Sequence, residues 1–270
     1  MGINSEARAL LFDVFGTCVD WRTSVTFALA QASINSLHDQ STLMTGASRA
    51  RARRMSLEDW EQFASLWRAT YYDFTRSVAS DPGLRWKTVD DHHLESLQEL
   101  LVEFDLLPNE DKRGLWSDDQ IRDLSLVWHK LDPWTDTVAG LKALNTKFET
   151  CTLSNGNISL LKDMQKHSGM EFKHTLSSEL FGSYKPNPAI YLGAAKKLGL
   201  DPAQCVMVAA HLGDLEAAKK CGYQTVYVQR EQEERAEVEK AAKVAGYVDL
   251  WVNLSDDGFL TVAEELGCIV

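Results

Sequence analysis

The sequence predicts an α/β protein: a doubly wound parallel sheet whose chain is interrupted near its start by an all-helical insert. Three observations predict it. The apolar run Leu10-Leu11-Phe12 ends abruptly at Asp13, with Gly16-Thr17 just beyond. From about Ser24 to Trp128 the pattern is almost only helical. Strand and helix then alternate from near Pro133 onward.

A short apolar run of this kind fits a buried parallel strand. In an open α/β sheet, ligands sit just beyond the carboxyl ends of strands. Asp13 therefore faces a pocket, as a nucleophile, a metal ligand or a helix cap. In the helical block Trp60, Phe63, Ala64, Trp67, Tyr71, Phe74 and Val78 recur at helical spacing, behind Ser56 as N-cap with Asp59 in the first turn. Val89 to Phe104 is a second amphipathic helix, ended near Pro108, and Ser117 to Trp128 a third. The block is too long for a loop, so residues 21–130 form a helical cap domain whose aromatic residues are mostly its own core. Thr135 to Leu144 is then helix, and Phe148 to Leu153 a strand ending in Ser154-Asn155-Gly156. Ile158 to His167 is helix and Lys173 to Ser177 a short strand. Asn187-Pro188 starts a helix, with Asn as N-cap and Pro at the first helical position, and it ends near Gly199. Cys205 to Ala210 is a strand, Asp214 to Cys221 a helix stopped by Gly222, Gln224 to Val228 a strand, and Glu231 to Val244 a charged surface helix. Such alternation puts helices on both faces of a parallel sheet. Residues 1–20 and 131–270 would share that Rossmann-like core domain.

At 270 residues the chain is long enough for one large domain or a domain with an insert. Its 28 Lys+Arg against 39 Asp+Glu give a formal net charge of -11. Nucleic-acid or acidic-membrane binding needs a basic face, and the cluster Arg49, Arg51, Arg53 and Arg54 reads as a solvated loop or helix end. No apolar run approaches membrane-spanning length and the N-terminus lacks a signal-peptide core. The expectation is a cytoplasmic protein with neither nucleic-acid nor membrane partners. Five scattered cysteines, Cys18, Cys151, Cys205, Cys221 and Cys268, lack metal-ligand spacing, and their odd number suits a reducing compartment. Cys151 and Cys205 read as buried strand residues. Of the seven histidines, all but His211, the pair His92-His93 included, read as surface.

Asp13, Ser154-Asn155, Lys185 and Asp214 all fall on strand ends or in adjoining loops of this one sheet. Jointly they resemble the haloacid dehalogenase superfamily, over the whole core and in the position of the cap. The phosphatases of that superfamily use an aspartate two residues after the nucleophile as general acid. Here that position is Phe15, which cannot donate a proton, and such help is typically worth about 10²–10⁴ in rate. Those phosphatases also hold Mg²⁺ with extra carboxylates in the last motif, whereas Ala209-Ala210-His211-Leu212-Gly213-Asp214 keeps one acid. Mg²⁺ demands oxygen ligands in octahedral geometry. What remains resembles the L-2-haloacid dehalogenase branch, which needs neither metal nor cofactor. Phe12-Asp13-Val14-Phe15-Gly16-Thr17 is close to that branch's first motif, and Leu66-Trp67-Arg68 resembles its halide-binding arginine motif. Ser154-Asn155-Gly156, Tyr184-Lys185-Pro186 and Tyr191 follow the same pattern.

The resemblance implies a two-step displacement. The Asp13 carboxylate expels halide from a 2-haloacid, and water hydrolyses the resulting ester. Lys185 would keep Asp13 ionised, and Thr17 would hydrogen-bond the Asp13 region. Ser154 and Asn155 would bind the substrate carboxylate, partly through N–H groups at a helix start. Arg68 would receive the halide. Phe15, Trp21 and cap aromatics would line a small pocket, with Tyr191 as pocket wall or ordinary core. The best-known members carry Asn at the His211 position and Ser at Ala209. An imidazole suits water activation near neutral pH and is usually oriented by a carboxylate. Asp20 is the expected partner of His211. Asp214 would support Lys185 or the water, or be the base itself. Family likeness favours L-2-haloacids and a homodimer. Two alternatives remain: a Mg²⁺-dependent phosphatase with Asp20 as its acid, and a catalytically silent small-acid-binding protein.

Overall fold

The structure, a computed structural model, describes residues 2–39, 44–81, 83–108 and 113–270. Strand β1, Ala9–Phe12, is buried at every position, which is why its sequence is a continuous apolar run rather than an alternating one. Among the described residues five α-helices follow: α1 (Trp21–His38), α2 (Gly46–Ala52), α3 (Leu57–Ser80), α4 (Val89–Glu103) and α5 (Asp118–Ser125). The chain then runs through α6 (Thr137–Leu144), β2 (Glu149–Ser154), α7 (Ile158–Ser168), β3 (His174–Ser177) and α8 (Pro188–Leu198). It closes with β4 (Cys205–Ala209), α9 (Leu212–Lys220), β5 (Gln224–Val228), α10 (Ala236–Ala245), β6 (Leu250–Val252) and α11 (Phe259–Glu265).

The strands form one parallel sheet in the order β3-β2-β1-β4-β5-β6. The direction of winding reverses between β1 and β4, and a crevice opens beyond the strand ends at such a switch point. Asp13 follows β1 directly. Its N–H donates to Val208 O at 3.0 Å, so the ladder runs up to the carboxylate. His211 stands just past the end of β4. The α/β class, the parallel sheet and the interrupting helices are those expected.

The chain divides into two compact units. One comprises Met1–Asp20, Thr75–Trp86 and Asp132–Val270, and contains the sheet. Its core on one side includes Leu11, Leu153, Met207, Tyr191, Tyr223 and Tyr227. Cys151 and Cys205 are buried in it. The other comprises Trp21–Phe74 and Lys87–Leu131 and is helical. There Ser56 Oγ accepts from Asp59 N at 3.2 Å and Asp59 Oδ2 accepts from Ser56 N at 2.7 Å. This reciprocal cap fixes where α3 begins.

The histidines of the helical unit correct the expectation of surface positions. His92, His93 and His129 are buried, because α4 turns the pair into the aromatic cluster that α3 lays down at helical spacing. His93 stacks on Trp128 with centroids 4.6 Å apart, and Trp67 Nε1 donates to His93 O at 3.1 Å. His92 stacks on Phe74 at 4.5 Å and meets Thr70 Oγ1 at 3.2 Å. His129 Nε2 lies 3.1 Å from Asp90 Oδ1. Burial, aided by Lys87, pushes His92 down to about 4, and burial carries His93 well below the usual range.

A second correction concerns the charged helix expected from Glu231. It begins at Ala236. The preceding residues leave β5 as a loop, with Gln232 at φ 61°.

Candidate active site

Three acceptor bonds hold the Asp13 side chain. Lys185 Nζ donates to Oδ1 at 2.9 Å. Thr17 Oγ1 donates to Oδ2 at 2.9 Å, and His211 Nδ1 lies 2.8 Å from the same oxygen. Burial alone would push the Asp13 carboxyl up. Lys185 and His211 overcome it and hold the group far below the usual carboxylate range. Thr17 also accepts from Ala210 N at 2.9 Å, tying the turn after β1 to the end of β4.

Lys185 bridges two acids, since its ammonium also donates to Asp214 Oδ2. Burial opposes its charge, yet Asp13 and Asp214 push it above the ordinary lysine range. It supplies the positive charge that two neighbouring buried carboxylates require. Asp214 lies in the first turn of α9. Burial and the Asp13 charge raise its carboxyl, against the pull of Lys185 and Tyr191. Tyr191, expected as pocket wall or core, has a definite role: its hydroxyl donates to Asp214 Oδ1.

Ser154 and Asn155 sit at the end of β2, as expected, but their side chains face the protein. Ser154 Oγ accepts from Gly156 N at 3.2 Å. Asn155 Oδ1 accepts from Lys185 N at 2.8 Å and from Ser178 Oγ at 2.7 Å, while Nδ2 donates to Lys185 O at 3.3 Å. Asn155 thus pins the Lys185 backbone. Phe15 is buried against this loop: a side chain on Gly156 would meet its ring.

The partner of His211 differs from the expectation. Both ring nitrogens face carboxylates other than Asp20, Nδ1 facing Asp13 and Nε2 facing Glu233 Oε2 at 3.0 Å. Asp20 contributes its N–H to Asp132 O at 2.9 Å. Glu233 reaches the ring because the loop after β5 turns back over the site, and because Gly16, at φ 80°, has no side chain where that carboxylate lies. From the same loop Glu234 accepts the N–H of Leu212 at 3.1 Å. Arg230 and Asp136 brace the turn from the other side, with Arg230 Nε donating to Thr17 O at 3.0 Å. None of these four was singled out from sequence. Glu233 and Glu234 lie in a charged run that mimics a solvated helix. The one usable signal was Gly16, the glycine three residues after Asp13.

Arg68 and Trp21 belong to the helical unit. There the Arg68 guanidinium is buried against the faces of Tyr71 (4.4 Å), Tyr72 (4.5 Å) and Trp21 (5.7 Å). Aromatic faces of this kind stabilise a cation that has left water.

A strand-end carboxylate kept ionised by a buried lysine, at the switch point of a parallel sheet, defines a hydrolase site of the covalent-nucleophile kind. A family model of haloacid dehalogenase-like hydrolases matches residues 7–222, and the chain belongs to that family. Its structure is similar to the defluorinating L-2-haloacid dehalogenase Rha0230, with a TM-score of 0.77 and 33% identity over 96% of this chain and 95% of that one. It is also similar to the L-2-haloacid dehalogenase PA0810, with a TM-score of 0.73 and 31% identity over 97% and 100% of the two chains. In sequence it is 26% identical over 228 residues to (S)-2-haloacid dehalogenase 1 of Pseudomonas sp. strain CBS-3, covering 83% of this chain and 85% of that one.

Proposed function

We propose that this protein hydrolyses short 2-haloacids of the L hand to 2-hydroxy acids through an ester on Asp13. The observation that carries the reading is the Asp13–Lys185 pair. A buried carboxylate held ionised is a nucleophile, and position 15, where the phosphatases of this superfamily place their acid, is a buried phenylalanine. An Asp13 oxygen attacks C2 from the side opposite the halogen. The carbon–halogen bond breaks, and its electron pair leaves with the halide. Water then attacks the ester carbonyl and releases the hydroxy acid.

The remaining roles are part of the same proposal. Lys185 and Thr17 orient the nucleophile, Asn155 positions Lys185, and Asp214, hydrogen-bonded by Tyr191, takes part in activating water. Ser154 and Asn155, at the approach to α7, bind the substrate carboxylate beside Phe15, partly through backbone N–H groups. Arg68, on its aromatic faces with Trp21, takes up halide. The five free cysteines support a reducing, cytoplasmic setting, and among the described residues no helix is long and apolar enough to cross a membrane. A homodimer is proposed from family likeness and is checked by sedimentation.

The test is halide release from racemic 2-chloropropionate in EDTA by the wild type and Asp13→Asn, beside p-nitrophenyl phosphate with Mg²⁺. Halide from the wild type alone is expected. Phosphate released only with Mg²⁺, and no halide, would replace this reading with the phosphatase.

A further inference from the structure

We infer that His211 is not the base of the second step but an imidazolium donor to the developing oxyanion, hydrogen-bonding the Asp13 oxygen that becomes the ester carbonyl. The inference deepens the haloacid reading and rests on it.

Two hydrogen-bond inventories lead there. The first is that of Asp13. A carboxylate oxygen offers two lone pairs in its plane. Oδ2 uses both, for Thr17 Oγ1 and His211 Nδ1, whereas Oδ1 receives one bond, from Lys185. The pair open for attack on C2 therefore belongs to Oδ1, and after alkylation Oδ2 is the carbonyl oxygen. Its two donors at 2.9 and 2.8 Å already stand where an oxyanion hole needs them, about 2.7–3.1 Å away. The Thr17 proton is committed to this bond, because its oxygen accepts from Ala210 N.

The second inventory is that of the imidazole. Ionised carboxylates only accept. With Asp13 on Nδ1 and Glu233 on Nε2, each ring nitrogen must bring a proton, and a ring carrying both has no lone pair with which to receive one from water. The other charged groups around it include Glu234, on the Leu212 N–H at the start of α9, and Lys185 with Asp214 across Asp13. Glu233 is built into this place. It is almost fully buried at the side chain, follows Gln232 in a left-handed conformation that non-glycine residues rarely adopt, and lies where Gly16 leaves room. It acts through His211 and is a positioning residue.

The step balances as follows. Water oxygen bonds to the ester carbon, its proton passes to the Asp214 carboxylate, and the carbonyl pair moves onto Oδ2, where Thr17 and His211 hold the charge. Collapse expels the hydroxy-acid alkoxide, which takes the proton back from Asp214. The Asp13 carboxyl then loses the other water proton to solvent. Each haloacid and water consumed yields one hydroxy acid, one halide and one proton.

The test separates donor from base. His211→Asn keeps an N–H near the Nδ1 position but cannot act as a base, and His211→Ala keeps neither. Decay of the alkylated enzyme is followed by intact-protein mass spectrometry after mixing with L-2-chloropropionate. His211→Ala is expected to slow ester hydrolysis by about 10²–10³-fold. His211→Asn is expected to come within about tenfold of the wild type, since a neutral hydrogen bond replaces a charged one. Glu233→Gln is expected to slow the same step with KM unchanged. An Asn variant as slow as the Ala variant, or an Ala variant with undiminished hydrolysis, would overturn the inference. A substrate-free measurement decides independently: ¹⁵N spectra of the histidines at neutral pH, with the His211 signals assigned through His211→Asn. Protons on both nitrogens are expected, and a lone pair on Nδ1 would sink the donor role even if haloacids prove not to be substrates. Absence of halide release from the wild type would instead count against the substrate reading alone.

Discussion

Arg230 grips Asp136 with both prongs of its guanidinium, Nη1 and Nη2 lying 2.7 and 2.8 Å from the two carboxylate oxygens. Arg230 is buried and Asp136 largely so beneath the turn that carries Thr17, and Asp136 also accepts the N–H of Phe259 at 2.7 Å. Arg230→Ala would strand a largely buried carboxylate, a loss of about 3–5 kcal/mol. Urea denaturation should show it. Arg230→Lys keeps the charge but not the fork, so most of its loss should fall on the rate of ester formation, through a displaced Thr17, rather than on stability.

Lys185→Met should reverse the pH dependence of stability. In the wild type the Asp13 carboxyl is held low, so its contribution is present above about pH 4, the unfolded value, and fades as pH falls further. Without the lysine, Asp13 keeps its His211 partner, whereas burial and the Asp13 charge, no longer opposed by the ammonium, raise the Asp214 carboxyl further above its unfolded value. The folded variant then binds more protons and loses stability as pH rises. Melting curves at pH 5 and pH 8 should show the variant more stable at pH 5, with a deficit of about 3 kcal/mol or more against wild type at pH 8. Halide release should be abolished at both.

Gly16→Ala should injure activity more than folding. Gly16 has φ 80°, a conformation that costs an L residue about 1–2 kcal/mol. The added carbon would also collide with the Glu233 carboxylate. A modest drop in melting temperature with a much larger fall in kcat is expected. Equal losses would mean that Glu233 has no part in turnover.

The helical unit should be the acid-sensitive part of the chain. His92 is pushed down to about 4 by burial and Lys87, whereas an unfolded histidine titrates near 6.5. Between those values the unfolded state binds more protons, so stability is full above about pH 6.5 and declines toward pH 4. His93 shifts in the same direction. His92→Gln should flatten the decline in stability between pH 6.5 and 4 by on the order of 2 kcal/mol, read from urea midpoints.

What was legible in the sequence follows from local physics. Asp13, Ser154 and His211 could be placed because buried parallel strands are apolar at every position, so a polar residue at the end of such a run marks the mouth of the crevice. The start of α8 was legible because Asn187-Pro188 satisfies a helix start on its own, with Asn187 Oδ1 accepting Ala189 N. Glu233 was not, because nothing local separates a glutamate folded onto a histidine 22 residues away from one in solvent. His93 was hidden for a like reason: its burial depends on a tryptophan, Trp128, in another segment. Asn155 was singled out from the sequence as a substrate-binding candidate, but its grip on the Lys185 backbone depends on a loop meeting that no spacing encodes.

Strand β1 is hydrogen-bonded to β2 on one side and to β4 on the other. During synthesis, Ala9 leaves the ribosome long before its neighbour Cys205 exists. At about 5–20 residues per second, the interval is roughly 10–40 s. Through that interval the strand bearing the nucleophile has one flank open, an apolar edge of the kind that other chains can pair with. The crevice can form only when β4 arrives, so the same join that completes the candidate active site also closes an adhesive edge of the nascent chain.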